Sequence, residues 1–233
     1  MTIHVYESPQ DLAAAVATAL SARVQAVAAD GRTPRLVLTG GTIAGRVYEH
    51  VSGEGGGWQH AQFWWGDERF VPAGHPDRND RLAHETFLDR LGVPADHIHA
   101  MPAHGCDLSM ADAADAYALT LPDEPFDVVL LGMGPDAHVA SLFPGHPQVH
   151  ESTRRCVEVF DSPKPPPQRI TLTYPALNHT RATWFIVSGA DKAGAVARAL
   201  SGTPIEEAPA AGARGIDETI WFLDAAAASK LPR

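Results

Sequence analysis

The sequence predicts an α/β sandwich built on a mainly parallel sheet. Three observations carry that expectation. Short apolar runs alternate along the chain with segments of helical periodicity. The apolar runs lack the clean in–out alternation of a half-exposed sheet, which fits strands covered on both faces. Three unusual segments, 39–42, 66–69 and 132–138, directly follow predicted strands. Right-handed crossovers place such strand ends along one rim, where open α/β sheets bind ligands.

Residues 3–7 read as a strand. Leu12, Val16, Leu20, Val24 and Val27 then recur at helical spacing, with Ser8-Pro9 as the start and Gly31 as the stop. Residues 35–39 form a buried strand. The helix after it carries Ile43, Val47 and Val51 on one face, and glycines 53 and 55–57 end it. Residues 61–65 are the next strand. A polar loop through Pro72, Gly74 and Pro76 leads to a helix with Leu82, Leu88 and Leu91, ended by Gly92 and Pro94. A short strand is expected at 97–101. A helix follows at 108–120, with Ala and Asp on its exposed side. Residues 126–131 are a strongly apolar strand. Further strands are expected near 154–160, 169–173, 183–187 and 219–223, with a helix near 190–201. The Pro-rich loop 161–168 is expected to be stiff. No internal repeat is present, and one domain is expected over 1–233.

The chain has 233 residues, 45% of them apolar and 20% charged, which excludes disorder for its bulk. Lys and Arg number 18 against 28 Asp and Glu, a formal net charge of −10. That lacks the basic footprint of a nucleic-acid binder, although a few local cations still hold a small anion. Cys106 and Cys156 make no disulfide framework. The N-terminus lacks the pattern of a signal peptide, and no apolar run is read as a membrane span. The expectation is a cytoplasmic protein with no membrane partner. Lysine is rare, at 164, 192 and 230, so each lysine merits inspection.

Thr39-Gly40-Gly41-Thr42 joins a strand to a helix. Glycines let backbone approach a ligand, and a helix N-terminus offers N–H groups to an anion. A tight turn capped by Thr42 is the alternative. Gly66-Asp67-Glu68-Arg69 places acids and a base after an aromatic strand. An Arg fork suits phosphate, and an Asp orients or exchanges a proton; a surface ion pair is the alternative. Gly132-Met133-Gly134-Pro135-Asp136-Ala137-His138 formally matches the dinucleotide fingerprint. Asp136 would oppose a pyrophosphate, however, and Pro144-Gly145 leaves little room for a full helix. What remains is an Asp two residues before a His, a pair suited to general base work. A structural His capping a short helix is the alternative. Lys192 follows another strand end and is a candidate anion ligand. Arg169 opens its strand and is a weaker candidate. Among twelve histidines, His97, His99 and His104 with Cys106 come closest to a metal cluster. No metal motif appears, and no metal or cofactor is expected.

Taken together, the blocks TGGT at 39–42, WWGDERFVP at 64–72 with His75 and Asn79, LLGMGPDAHVASLFPGHP at 130–147 and RITLTYPALN at 169–178 resemble the 6-phosphogluconolactonase family. That family lies within the wider glucosamine-6-phosphate isomerase/lactonase group. Lys192 matches a lysine typical of it. The resemblance implies a three-layer sandwich with a Rossmann-like sheet of the sugar-phosphate isomerase/lactonase type. The Ala140-Ser141-Leu142-Phe143-Pro144 run is similar to the lactonase branch. Two positions depart from the family pattern. Ala137 stands where Gly is usual, which requires a negative φ or mild strain. Arg78 stands where Ser is usual, and it either alters substrate contacts or faces solvent.

The resemblance implies hydrolysis of 6-phospho-D-glucono-1,5-lactone to 6-phosphogluconate, a carboxylic ester hydrolysis in the oxidative pentose phosphate pathway. His138 would be the general base, Asp136 its orienting partner, and Asp67 a positioner of water or hydroxyls. Backbone of Gly40, Gly41 and Thr42 with Arg69, Lys192 and Arg169 would hold the phosphate. The partner is then a small phosphorylated sugar lactone, and the protein a monomer or weak homo-oligomer. Three alternatives stay open: a glucosamine-6-phosphate isomerase/deaminase, a non-enzymatic sugar-phosphate sensor and a nucleotide-dependent dehydrogenase. The absence of a G-x-S-x-G elbow argues against an α/β-hydrolase.

Overall fold

The computed structural model describes residues 1–232. The chain runs β1 (Thr2–Tyr6), α1 (Pro9–Ala29), β2 (Arg35–Leu38), α2 (Thr42–His50), β3 (Gln62–Trp65), β4 (Asp67–Arg69), α3 (Asn79–Ala83), α4 (Met110–Ala118) and β5 (Phe126–Leu131). It continues with β6 (Cys156–Val159), β7 (Arg169–Leu172), α5 (Tyr174–Leu177), β8 (Thr180–Val187), α6 (Ala193–Leu200) and β9 (Glu218–Asp224). Six strands form a parallel sheet in the order β1-β9-β8-β5-β2-β3.

The layers follow from strand sequence. Leu36, Leu38, Val128 and Leu130 enter one core, with Leu12, Leu20 and Val24 of α1 and Val47 and Tyr48 of α2. Val37, Val129 and Leu131 enter the other, with Ala113 and Tyr117 of α4 and Val196 of α6. Alternate residues of one strand thus feed opposite cores. This is why an apolar run without polar interruption predicts a doubly covered sheet. After β2 the chain moves outward to β3, then crosses back to place β5 on the other side of β2. The order therefore reverses between β2 and β5, and a crevice opens there at the strand C-terminal ends.

Several expectations need correction. Residues 67–69 are not a loop. They form β4, which pairs antiparallel with β7 through Asp67 and Thr171, and β7 pairs with β6. The strands expected near 154–160 and 169–173 exist but leave the parallel sheet for this second, three-stranded one. Gly66 makes the step between sheets: its N–H donates to Leu38 and its carbonyl accepts from Leu172. Residues 97–101 contribute one bridge, Ile98 to Phe63, rather than a strand. The helix expected around Leu82–Leu91 is only α3 followed by a widened turn, His84–Leu88. On α4 the exposed side carries Asp112 and Asp115, while Ala113 and Ala114 are buried. Helix α1 is also long and apolar enough to cross a membrane by length and composition. Its Leu12, Val16, Leu20 and Val24 pack into the core.

Candidate active site

A cleft of about 650 Å³ occupies the crevice between β2 and β5. All three rim segments reach it: Thr39 to Thr42, Asp67 and Arg69, and Gly132 to Gly134 with His138. Lys192 and Arg169 line it as well. Asp136 stands behind His138, outside the lining but bonded to it.

The β5 turn sets the Asp–His pair. The Gly134 N–H donates to the His138 carbonyl, and the Ala137 N–H donates to the Gly134 carbonyl, closing a tight loop. That loop brings Asp136 Oδ1 to 2.6 Å from His138 Nδ1. The Phe143 ring packs on the imidazole at 4.7 Å between centroids. With Nδ1 engaged by a carboxylate, the tautomer that leaves Nε2 as acceptor is favoured. Burial opposes the Asp136 charge, but the His138 hydrogen bond and charge, with Lys164 beyond, hold its carboxyl well below the usual range. Ala137 adopts φ +74°, so the turn keeps the left-handed geometry of the usual Gly. The cost is about 1 kcal/mol, offset in part by a fully buried methyl.

Asp67 is held from three sides. The Ser141 hydroxyl donates to Oδ2 at 2.6 Å, and Asn79 Nδ2 donates to the Asp67 carbonyl at 2.9 Å. Arg169 Nη1 lies 3.7 Å from Oδ2. Ser141 is itself locked by its N–H donating to Thr171 Oγ1. Glu68, the next residue, points away from the cleft. It accepts from the N–H groups of Arg69, Asn79 and Asp80. It thereby fixes the loop that carries Asn79.

Arg78 follows neither expected course. It is 2% exposed and faces neither solvent nor cleft. Its guanidinium grips Asp80 through two nitrogens, donates to the Met101 carbonyl at 2.7 Å and lies 3.9 Å from Glu68. The substitution is therefore absorbed behind the site.

At the other end of the cleft, Gly41 caps α2 with φ +100°, a conformation open to Gly, and no side chain caps the first turn of α2. Lys192 Nζ lies 3.3 Å from Asp191. Arg69 is anchored by its Nη1 donating to the Asp77 carbonyl. Five cations line the cleft, Arg46, Arg69, Lys164, Arg169 and Lys192, against the carboxylates of Asp67 and Asp191. In a chain of net charge −10, this local inversion gives the crevice a positive lining suited to an anion.

Four of these residues had no role assigned from sequence. Arg46 lies one turn beyond Thr42 on α2, and that i, i+4 spacing was a usable signal. Lys164 was visible only as one of three lysines. The clamping roles of Asn79 and Ser141 had no local signature. The histidine cluster at 97–104 is dispersed: His99 stacks on Trp64 and bonds Gln62, and His104 meets the edge of Phe70. Among the described residues no group of three or more His, Cys, Asp or Glu side chains is arranged to hold a metal.

Comparison with known proteins gives the family. Residues 7–221 match the family model of glucosamine-6-phosphate isomerases/6-phosphogluconolactonase. A 6-phosphogluconolactonase of Streptomyces coelicolor is 43% identical over 98% of this chain and 94% of its own. One of Mycobacterium tuberculosis is also 43% identical, over 95% of this chain and 91% of its own. The crystal structure of the Thermotoga maritima 6-phosphogluconolactonase superposes with a TM-score of 0.85 at 26% identity, covering 96% of this chain and 99% of that one. A monomeric glucosamine-6-phosphate deaminase shares the fold, with a TM-score of 0.79 at 18% identity and coverage of 99% and 100%. A family match over most of the length, and relatives this similar from end to end, establish that the chain belongs to the glucosamine-6-phosphate isomerase/6-phosphogluconolactonase family.

Proposed function

We propose that this chain hydrolyses 6-phospho-D-glucono-1,5-lactone to 6-phospho-D-gluconate, in the oxidative branch of the pentose phosphate pathway. The observation that carries the reading is the Asp136–His138 pair set into a cleft lined by five cations. The relatives named as lactonases, 43% identical over nearly the whole chain, point the same way.

His138 Nε2 removes a proton from water as its oxygen adds to the lactone carbonyl. Negative charge gathers on the carbonyl oxygen. As the carbonyl re-forms, the bond from C1 to the ring oxygen breaks, and the imidazolium returns its proton to that oxygen. Asp136 keeps the ring oriented and stabilises the transient imidazolium, as a buried carboxylate partner does in other His-based sites. Asp67, clamped by Ser141 and Asn79, orients water or sugar hydroxyls. The phosphate is taken up by the α2 N-terminus with Lys192 and Arg69. Arg169 serves chiefly to hold Asp67 and the neighbouring loop. General base catalysis of about 10²–10⁴-fold suffices for a lactone that already hydrolyses in water. The same reading takes residues 1–233 as one cytoplasmic domain.

The test is hydrolysis of freshly generated 6-phosphogluconolactone, with the spontaneous rate subtracted. Wild type should turn over well above background, and His138→Ala should lose at least about 100-fold in kcat. No wild-type rate above background rejects the lactonase. Ammonia release from glucosamine 6-phosphate would put the deaminase in its place.

A further inference from the structure

The loop 161–168 carries a cation into the cleft on a main chain that is tied down at every carbonyl from 164 to 167. Pro165, Pro166 and Pro167 have fixed φ and no N–H, so this stretch cannot build its own ladder. Ser162 and Arg169 supply the missing donors. The Ser162 N–H donates to the Pro167 carbonyl at 3.0 Å, and its hydroxyl donates to the Lys164 carbonyl at 2.9 Å. Arg169 Nε donates to the Pro166 carbonyl at 3.1 Å, and its Nη2 donates to the Lys164 carbonyl at 3.1 Å and the Pro165 carbonyl at 3.5 Å.

What this strap presents is the Lys164 side chain, which lines the cleft with His138 and Lys192. Of the other four cations two have counter-charges: Lys192 lies 3.3 Å from Asp191, and Arg169 lies 3.7 Å from Asp67, while Arg69 is tied to the Asp77 carbonyl. Lys164 has no carboxylate within 4 Å among the described residues. A partly buried ammonium without a partner is costly, and a bound anion removes that cost. Burial accordingly lowers its pKa, with Asp136 opposing the shift.

We propose that Lys164 is a substrate-binding residue, a cation that the Ser162–Arg169 strap holds against an oxyanion of the bound phosphorylated lactone. The inference rests on the lactonase reading above. Two oxygens of that substrate have the required chemistry: a phosphate oxygen, and the carbonyl oxygen as it takes up charge.

The experiment compares wild type, Lys164→Met and Lys164→Arg on 6-phosphogluconolactone and on unphosphorylated glucono-1,5-lactone, with calorimetric binding of 6-phosphogluconate alongside. The strap is tied through main-chain carbonyls, so Lys164→Met should keep the wild-type Tm. It should lose about tenfold or more in kcat/KM on the phosphorylated lactone, as expected for a charge-assisted hydrogen bond, and Lys164→Arg should retain most of it. A kcat loss on both lactones assigns the cation to the carbonyl oxygen. A KM increase confined to the phosphorylated lactone assigns it to the phosphate. Constants within about twofold of wild type on both substrates, well short of a lost charged contact, overturn the proposal. If wild type itself fails to hydrolyse the lactone, the lactonase reading fails separately. Binding of inorganic phosphate then decides: weaker binding by Lys164→Met supports an oxyanion contact, and equal binding overturns it.

Discussion

The reactivity of His138 depends on one short hydrogen bond and on the glycine that leaves space for it. A methyl on Gly134 would overlap the His138 ring and the Asp136 carboxylate. Both are ends of movable side chains, so the fold can yield while the pair cannot stay in place. Gly134→Ala should therefore lose about 100-fold in kcat, the range of a displaced general base, with a Tm near that of wild type. An active variant would show that the ring tolerates displacement. Glu68 makes a different residue-scale prediction. Burial pushes it from 4.5 up to about 7, against the charge of Arg78 and the backbone N–H groups of Asn79 and Asp80. The folded state thus binds this proton more tightly than the unfolded chain. Its contribution to stability falls as pH rises from about 4.5 to about 7 and is level above that. Glu68→Gln lacks this fall. Wild-type Tm minus variant Tm should shrink across that window, and parallel Tm curves would refute the shift. The Asp–His pairing was legible from two residues in a glycine turn. The Asn79 and Ser141 clamps on Asp67 were not, because partners 12 and 74 positions away leave no local pattern.

Elements were legible to the extent that their signals are local. Helix α1 begins where Ser8-Pro9 places it: the Ser8 hydroxyl accepts from the Asp11 N–H at 3.2 Å and donates to the Asp11 carboxylate at 2.6 Å. Ser8→Ala should cost about 1 kcal/mol in urea denaturation, the usual value of an N-cap. No loss would mean that tertiary packing alone sets this terminus. The apolar strands β2, β3, β5, β8 and β9 were recognised by composition. Strand β4 was missed because Asp-Glu-Arg has the residue types of a loop. It is a strand only because β7 lies beside it, with Glu68 opposite Ile170. The reverse error affected 97–101, where strand-like residues find a single bridge to β3. Pairing with a distant strand outweighs intrinsic preference in both cases.

Across the whole molecule, charge is distributed against its sum. A net charge of −10 coexists with a cleft lined by five cations. Attraction of a phosphorylated substrate into that cleft should be screened by salt. KM for 6-phosphogluconolactone should rise between about 0.01 M and about 1 M ionic strength, as the Debye length falls from about 30 Å to about 3 Å. Unphosphorylated glucono-1,5-lactone should show little change, and an equal rise for both would place the effect outside phosphate attraction. The convergence of 39–42, 66–69 and 132–138 on one rim was foreseeable, since parallel strands with right-handed crossovers align their carboxyl ends. By itself the sequence determined the start of α1, the doubly covered strands and the turn chemistry of the rim, all set by residues within a few positions of one another. Only the tertiary structure decided that β4, β7 and β6 form their own sheet, that Arg78 is buried against Asp80, and that the strap delivers Lys164 to the cleft. Those outcomes depend on which distant backbone groups find partners, and that competition is settled only when the whole chain packs.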